Sequence, residues 1–306
     1  MTFDSSPTAA PERQRRWQAR LGAAAVAAVR SRWTWVVVVI WLIAGGILLA
    51  HGQAAVVKAK AAFLPVIAIL ALATIVFTDD PASVPTADSS MTMKRLVVAL
   101  AIVGALALLA WYIASGGRRT GMMAALTLNW QASNPWLARS WAVVRTALLF
   151  VALPLAAMMV LKVAPHDLGL QPGHRSWRFL ALWSVPVLVL WGVRVASGLL
   201  WPARLVSQLW ALTRQRGFFE EFLFRGMLQS RLAPYGGGMS LAVQALVFAG
   251  WHAGVSLAAA PEAKLVACAV SVFVVLPIGV ALGVVFVRTR NLLAPSILNV
   301  LANTIA

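Results

Sequence analysis

The sequence predicts an all-α, polytopic transmembrane helical bundle of about eight or nine spans. Of the 306 residues, 61% are hydrophobic and only 11% charged, with a mean hydropathy of +0.82. A domain that covers itself in water needs about a quarter of its residues charged. Apolar stretches long enough to cross about 30 Å of hydrocarbon recur along the chain. They are continuous rather than alternating, which argues for helices and against an outer-membrane barrel, because lipid offers no partner to an open strand edge.

Taken in order, residues 1–32 are a basic N-terminal tail with six arginines, expected to be helical along the membrane surface from Arg13 onward. A cleaved signal peptide is not expected, since no small-residue cleavage site follows a short apolar core and the first apolar run is of span length. Residues 33–140 read as accessory transmembrane helices and connectors. They comprise spans at 33–50, 61–77 and 96–114, a polar connector at 78–95 carrying Asp79, Asp80, Pro81, Pro85 and Asp88, and a mixed connector at 115–140. Residues 141–306 read as a functional core, with spans at 141–161, 179–200, 217–232, 240–258, 265–287 and 291–306. Gly279 and Gly283, spaced GxxxG, should let the 265–287 helix approach a neighbour closely. No internal repeat of the transporter type is visible.

The net charge of +17 does not mark a nucleic-acid binder. The 26 Lys and Arg are scattered over the tail and short loops, with no basic face interleaved with aromatics. They fit topological signalling and contact with anionic lipids, and their bias favours a cytoplasmic N-terminus. The single cysteine, Cys268, lies in an apolar span, so no intrachain disulfide can form.

Chemistry concentrates in the C-terminal half. Of nine acidic residues, only Glu220 and Glu221 sit in a segment that otherwise reads as a membrane helix, GFFEEFLFRGML. A charge at mid-bilayer costs about 2.5–3.5 kcal/mol, so both need compensation. Arg225 stands i,i+4 from Glu221 on one face. Glu220 points about 100° away and is left without a counter-ion. Among four histidines only His252 falls well inside an apolar span, and taken singly it is more often a core residue. Asn299 and Asn303 are again i,i+4, a spacing commonly used as interhelical glue. Together these parts would serve attack by water on an amide. An unpaired carboxylate beside a histidine can hold a water and take its proton, and Asn N–H groups can donate to an oxyanion.

Glu220-Glu221-x-x-x-Arg225, then Phe248-x-x-x-His252, then Asn299-x-x-x-Asn303 resembles the CAAX prenyl protease and bacteriocin-processing (CPBP, also called ABI) intramembrane proteases. Asp167-Leu-Gly-Leu170 is similar to that family's short lead-in, and the resemblance covers about 165–306. It implies Glu220 as the base that activates water, His252 as its partner, Asn303 as an oxyanion donor, and Glu221 and Arg225 as a supporting pair, with Phe248 beside them. Where the family usually has H-x-x-x-N, Asn299 stands at the His position. Asn is a poor zinc ligand and a zinc site wants several His, Cys or carboxylate donors, so no metal or other cofactor is expected although the family is often labelled metalloprotease. The expected substrate is a membrane-associated peptide or protein. The expected location is a bacterial plasma membrane, from the compact loops and the Ala- and Trp-rich, basic composition. Two competing readings remain: a non-catalytic scaffold or bacteriocin-immunity protein on the same fold, signalled by Asn299, and a proton-coupled transporter using the same ionisable residues.

Overall fold

The computed structural model describes residues 9–77, 148–160, 165–170, 173, 176–199, 201–203, 206, 209, 217–259 and 263–303. Among the described residues every regular element is helical. The expected span at 96–114 and both long connectors lie outside them, as does most of the stretch from 200 to 216.

The chain runs from α1 (Ala9–Arg30) into α2 (Arg32–Ala50), α3 (Ala54–Ala61) and α4 (Leu64–Phe77). Gly52, with φ +73°, turns the chain between α2 and α3. Pro65 in the first turn of α4 explains the break after α3, since its ring and missing N–H cannot continue a helix. A π-helical turn, Leu148–Ala152, leads into α5 (Leu153–Val160). A 3-10 turn, Pro165–Leu168, precedes α6 (Ser176–Ala196). The next element, α7, is composite. It opens as an α-turn, Phe218–Glu221, continues as a π-helix, Phe222–Gln229, and closes through Ser230–Leu232. Then come α8 (Gly237–Ala259), α9 (Lys264–Thr289) and α10 (Leu293–Asn303).

Among the described residues four stretches are long and apolar enough to cross a membrane: Arg32–Ala50, Ala54–Val76 (α3 with α4), Trp177–Ala196 and Lys264–Thr289. The expected spans 217–232, 240–258 and 291–306 are not among these four. In the 217–232 segment every residue from Glu220 to Leu232 is buried. The described part of the last helix has 11 residues, about 16 Å at 1.5 Å per residue, roughly half the hydrocarbon thickness. The 217–232 segment is an inner element, and that is why it can carry polar side chains at all.

The principal packing is α8 against α9, through the GxxxG face. A Cβ on Gly279 would stand 3.2 Å from the Phe248 ring and 3.3 Å from the Ala245 Cα, and one on Gly283 would collide with Gln244 and Leu241. Without side chains, these glycines also leave their carbonyls open to second donors. Arg225 Nη2 and Gln244 Nε2 both donate to the Gly279 carbonyl, at 3.3 and 2.8 Å, and Gln229 Nε2 donates to that of Gly283 at 3.0 Å.

A proline is the reason for a fourth such bond. Pro277 has no N–H to offer the Phe273 carbonyl one turn earlier, and the indole N–H of Trp41 on α2 donates there instead, at 3.0 Å. The Trp41 ring also stacks on Phe273, with centroids 4.7 Å apart. On the other side of α9, Trp183 of α6 donates to Thr74 of α4 at 2.8 Å. The helices before residue 78 thus dock on α9 and α6 through shared apolar clusters and these two indole bonds. The largest core cluster surrounds α7 itself, with Phe222, Phe224, Met227, Phe248 and Phe286 all buried.

Candidate active site

The site is built around α7, which is held from below by the Asp167–Leu170 stretch. Leu168 is fully buried, and Gly169 takes φ +78°. A Cβ on Gly169 would lie 2.6 Å from the Phe286 ring, and one on Gly226 would lie 2.8 Å from the Leu168 carbonyl. The Gly169 carbonyl in turn accepts the Leu292 N–H at 3.2 Å. Two glycines therefore let the lead-in loop press between α7 and the start of α10. Arg231 at the far end of α7 reaches Asp167 at 3.9 Å.

Tight capping sets α10 against α7. Arg290 ends α9 in the left-handed region, φ 51°, with its N–H returned to the Phe286 carbonyl. The Asn291 side chain then accepts the Leu293 N–H at 2.6 Å, the short polar cap that starts a helix. Pro295 falls in the first turn, where its missing N–H costs nothing. This reversal brings α10 alongside the opening turn of α7.

Glu220 and Glu221 are both buried, at 6% and 0% exposure, but their surroundings differ. Glu221 Oε1 pairs with Arg225 Nη1 at 2.9 Å, both side chains fully inside the protein. The Arg225 guanidinium lies 4.3 Å from the centroid of the Phe248 ring, a cation over the negative face of an aromatic. Glu220 has no ion-pair partner among the described residues. Its carboxylate accepts a hydrogen bond from Asn299 Nδ2 at 3.2 Å. Asn303 Nδ2 donates to the Asn299 carbonyl at 2.8 Å and to Asn299 Oδ1 at 2.9 Å. The amides of α10 thus form a short chain from Asn303 to Asn299 to Glu220. One N–H of the Asn299 amide is directed to Glu220, and an amide has two.

His252 lies one turn after Phe248 on α8, half-buried, with the two rings edge to face and centroids 4.5 Å apart. Its Nδ1 stands 3.0 Å from the Phe248 carbonyl. A carbonyl only accepts, so this is a hydrogen bond when Nδ1 carries the proton, and Nε2 then keeps its lone pair. No direct hydrogen bond joins His252 to Glu220. The Phe248 ring touches Arg225 on one side and His252 on the other, and so connects His252 to the Glu221–Arg225 pair.

The seven residues singled out from sequence form two groups on α7: Glu220 with Asn299 and Asn303 of α10, and Glu221 with Arg225, Phe248 and His252 on the side of α8. Two further polar residues were passed over, Gln229 and Gln244. Both are buried, and both bind the glycine carbonyls of α9 beside Arg225. The available signal was their type: a glutamine inside an apolar span costs nearly as much as an unpaired backbone group unless it finds a partner, and Gln229 stands i,i+4 from Arg225. Several buried atoms of this cluster, Glu221 Oε2, Arg225 Nε, Gln229 Oε1 and Gln244 Oε1, have no hydrogen-bond partner among the described residues. They are adjacent through the carbonyls they flank, a setting suited to internal water. Among the described residues no three His, Cys, Asp or Glu side chains come together as a metal-binding group.

Comparison with known proteins bears on the same region. No curated protein matches the chain, and no solved structure does. Residues 203–305 match the family model described as type II CAAX prenyl endopeptidase Rce1-like. That stretch holds α7 to α10 with every acidic, histidine and asparagine side chain of the cluster, and with the four apolar helices it makes this an integral membrane protein. Over residues 203–305 the chain matches the Rce1-like family, the CAAX protease group that its motifs resemble.

Proposed function

We propose that this protein is an intramembrane endopeptidase that hydrolyses a peptide bond near the membrane with water activated by Glu220 and His252. One observation carries the reading. Among the described residues, a buried carboxylate without an ion-pair partner, Glu220, stands next to a carboxylate that is ion-paired, Glu221. A fold gains nothing in stability from the first, so its retention points to chemistry.

In the proposed reaction Glu220 takes a proton from water as the oxygen attacks the scissile carbonyl, and His252 Nε2 helps to hold that water. The second N–H of the Asn299 amide stabilises the negative oxygen of the tetrahedral intermediate, and the Asn303 amide joins it by turning from the two Asn299 oxygens to which it donates in the structure. When the C–N bond breaks, the proton passes from Glu220 to the leaving amine. Glu221, Arg225 and Phe248 touch no reacting atom in this scheme. They fix the rotation of α7, and through Phe248 the position of the His252 ring.

The donor set does not fit a metal. Glu220 and His252 supply two ligands, and Asn299 stands where a second imidazole would be needed, so no step is routed through one. The substrate is a membrane-associated peptide or protein. The setting is a bacterial plasma membrane with anionic lipid around it and the N-terminus in the cytoplasm, where residues 33–140 accompany a protease core at 141–306. Asn299 also favours a second reading, a non-catalytic scaffold or immunity protein of the same fold.

Co-expression of a candidate membrane peptide with wild type, Glu220→Ala and His252→Ala separates the two. Cleavage by wild type and loss in both variants, with membrane insertion intact, supports the protease. Wild-type inactivity with retained peptide binding supports the scaffold.

A further inference from the structure

We propose that Gln244 is a positioning residue of the site: it sets the depth and rotation of α8, and with them the place of His252. The inference rests on the role given to His252 in the proposed hydrolysis. Gln244 is wholly buried. It precedes Phe248 by four residues and His252 by eight, so the three lie on the same side of α8.

Two bonds between α8 and α9 belong to one antiparallel register. Gln244 Nε2 donates to the Gly279 carbonyl at 2.8 Å. Eight residues further along α8, and eight residues back along α9, Ser271 Oγ donates to the backbone carbonyl of His252 at 3.4 Å. Equal steps in opposite directions mean that a single alignment of the two helices makes both bonds. They are about 12 Å apart along the helix axis, at 1.5 Å per residue, and the second falls on His252 itself. Between them the contact is apolar, with Ala245, Ala249 and Leu276 in one buried cluster. A hydrogen bond weakens steeply when its atoms are misaligned, so it pins a slide or a turn that small apolar side chains permit.

The amide serves alignment more than strength. Its Oε1 has no hydrogen-bond partner among the described residues, and a buried acceptor left unpaired costs stability. The Gly279 carbonyl is satisfied without Gln244 as well, since Arg225 Nη2 of α7 also donates to it, at 3.3 Å. A leucine of similar size would fill the space with no unpaired atom and would lose only the directional bond. That bond refers two helices to one atom of α9: α7, which carries Glu220, through Arg225, and α8, which carries His252, through Gln244. Gly283 makes room for it, because a Cβ there would collide with the Gln244 amide.

The test reads the His252 ring directly and cleavage beside it. The full chain, with isotope-labelled histidine, is reconstituted in phospholipid vesicles, and solid-state NMR observes the His252 signal, identified by its loss in His252→Ala. Gln244→Leu should move or split that signal at a Tm equal to or above that of wild type. For a co-reconstituted transmembrane peptide it should lower kcat by about ten- to a hundred-fold with KM unchanged, the scale of loss when a reacting group is displaced by about 1 Å. Ser240→Ala removes a buried hydroxyl that bonds within α8, and should change neither the signal nor kcat. A His252 signal in Gln244→Leu that superimposes on wild type overturns the proposal. So does a lower Tm with kcat unchanged, the result expected of an amide that only supports the fold. A moved signal in Gln244→Leu, with no cleavage of the peptide by wild type, overturns the protease reading instead and upholds the placing of His252 by Gln244.

Discussion

Replacing Glu221 by glutamine should unfold this protein far more readily than the same change at Glu220, its neighbour. Breaking a buried ion pair from one side costs about 3–5 kcal/mol, because the remaining charge stays inside without compensation. The Glu221–Arg225 pair is an extreme case, with both side chains wholly buried and 2.9 Å apart. In Glu221→Gln the guanidinium keeps the Gly279 carbonyl and the Phe248 ring. A desolvated cation–π contact is worth about 2 kcal/mol, so the loss should sit at the lower end, about 3 kcal/mol. Arg225→Ala should reach about 5 kcal/mol. It strands a carboxylate whose Oε2 has no partner among the described residues, and it leaves a hole against Phe248. Glu220→Gln keeps an acceptor for the Asn299 amide and removes a charge next to Glu221, so it should cost under about 1 kcal/mol. A loss of about 3 kcal/mol lowers the folded-to-unfolded ratio more than a hundred-fold. Membrane-fraction abundance and Tm in detergent read the difference. Equal abundance and equal Tm for all three variants would refute the supporting role of the pair.

Other consequences follow from the same contacts. Asn303→Ala should lower kcat/KM by about a hundred- to a thousand-fold, the usual cost of an oxyanion donor, and Asn299→Leu should be similarly inactive; full cleavage by both would make the α10 amides packing groups only. Asn299→His should keep or raise activity and add a pH dependence near neutrality, with activity falling on the acid side, where an imidazolium would pair with Glu220 and weaken it as a base; a pH profile superimposable on wild type would contradict this. Trp41→Phe leaves the Phe273 carbonyl without its donor above Pro277 and should cost about 1–3 kcal/mol, seen as a lower Tm with unchanged kcat. Gly169→Ala must fit a methyl group at φ +78° against the Phe286 ring, and should reduce abundance more than a Gly→Ala change at the unobstructed Gly192.

The roles of Glu220 and Glu221 were separable in sequence because one i,i+4 cation can satisfy only one of two adjacent carboxylates. The structure keeps that division, through a helix that is not the expected one. The π-helix at Phe222–Gln229 shifts backbone hydrogen bonds without altering the order of apolar and polar residues, so periodicity carries no trace of it. The GxxxG pair was legible as a close approach. That its bare carbonyls would collect Arg225, Gln229 and Gln244 was not, because an acceptor freed by a missing side chain has no residue type to mark it. Likewise Pro277 announces an orphan carbonyl one turn back, but only the fold brings Trp41, 232 residues earlier than Phe273, to meet it. The segments 217–232 and 291–306 were hydrophobic enough to read as spans. Burial from Glu220 to Leu232 makes the first of them an inner element, a distinction that hydropathy alone does not draw.

The central claim rests on Glu220 as a base acting without a metal. The direct measurement is kcat/KM for a cleavable membrane peptide in proteoliposomes, for wild type and Glu220→Gln, each with and without a strong chelator. The account predicts that chelation leaves wild type unchanged, and that Glu220→Gln lowers kcat/KM by about a hundred- to ten-thousand-fold with the Tm preserved. Cleavage that survives in Glu220→Gln, or wild-type cleavage that is lost on chelation and restored by zinc, would contradict it.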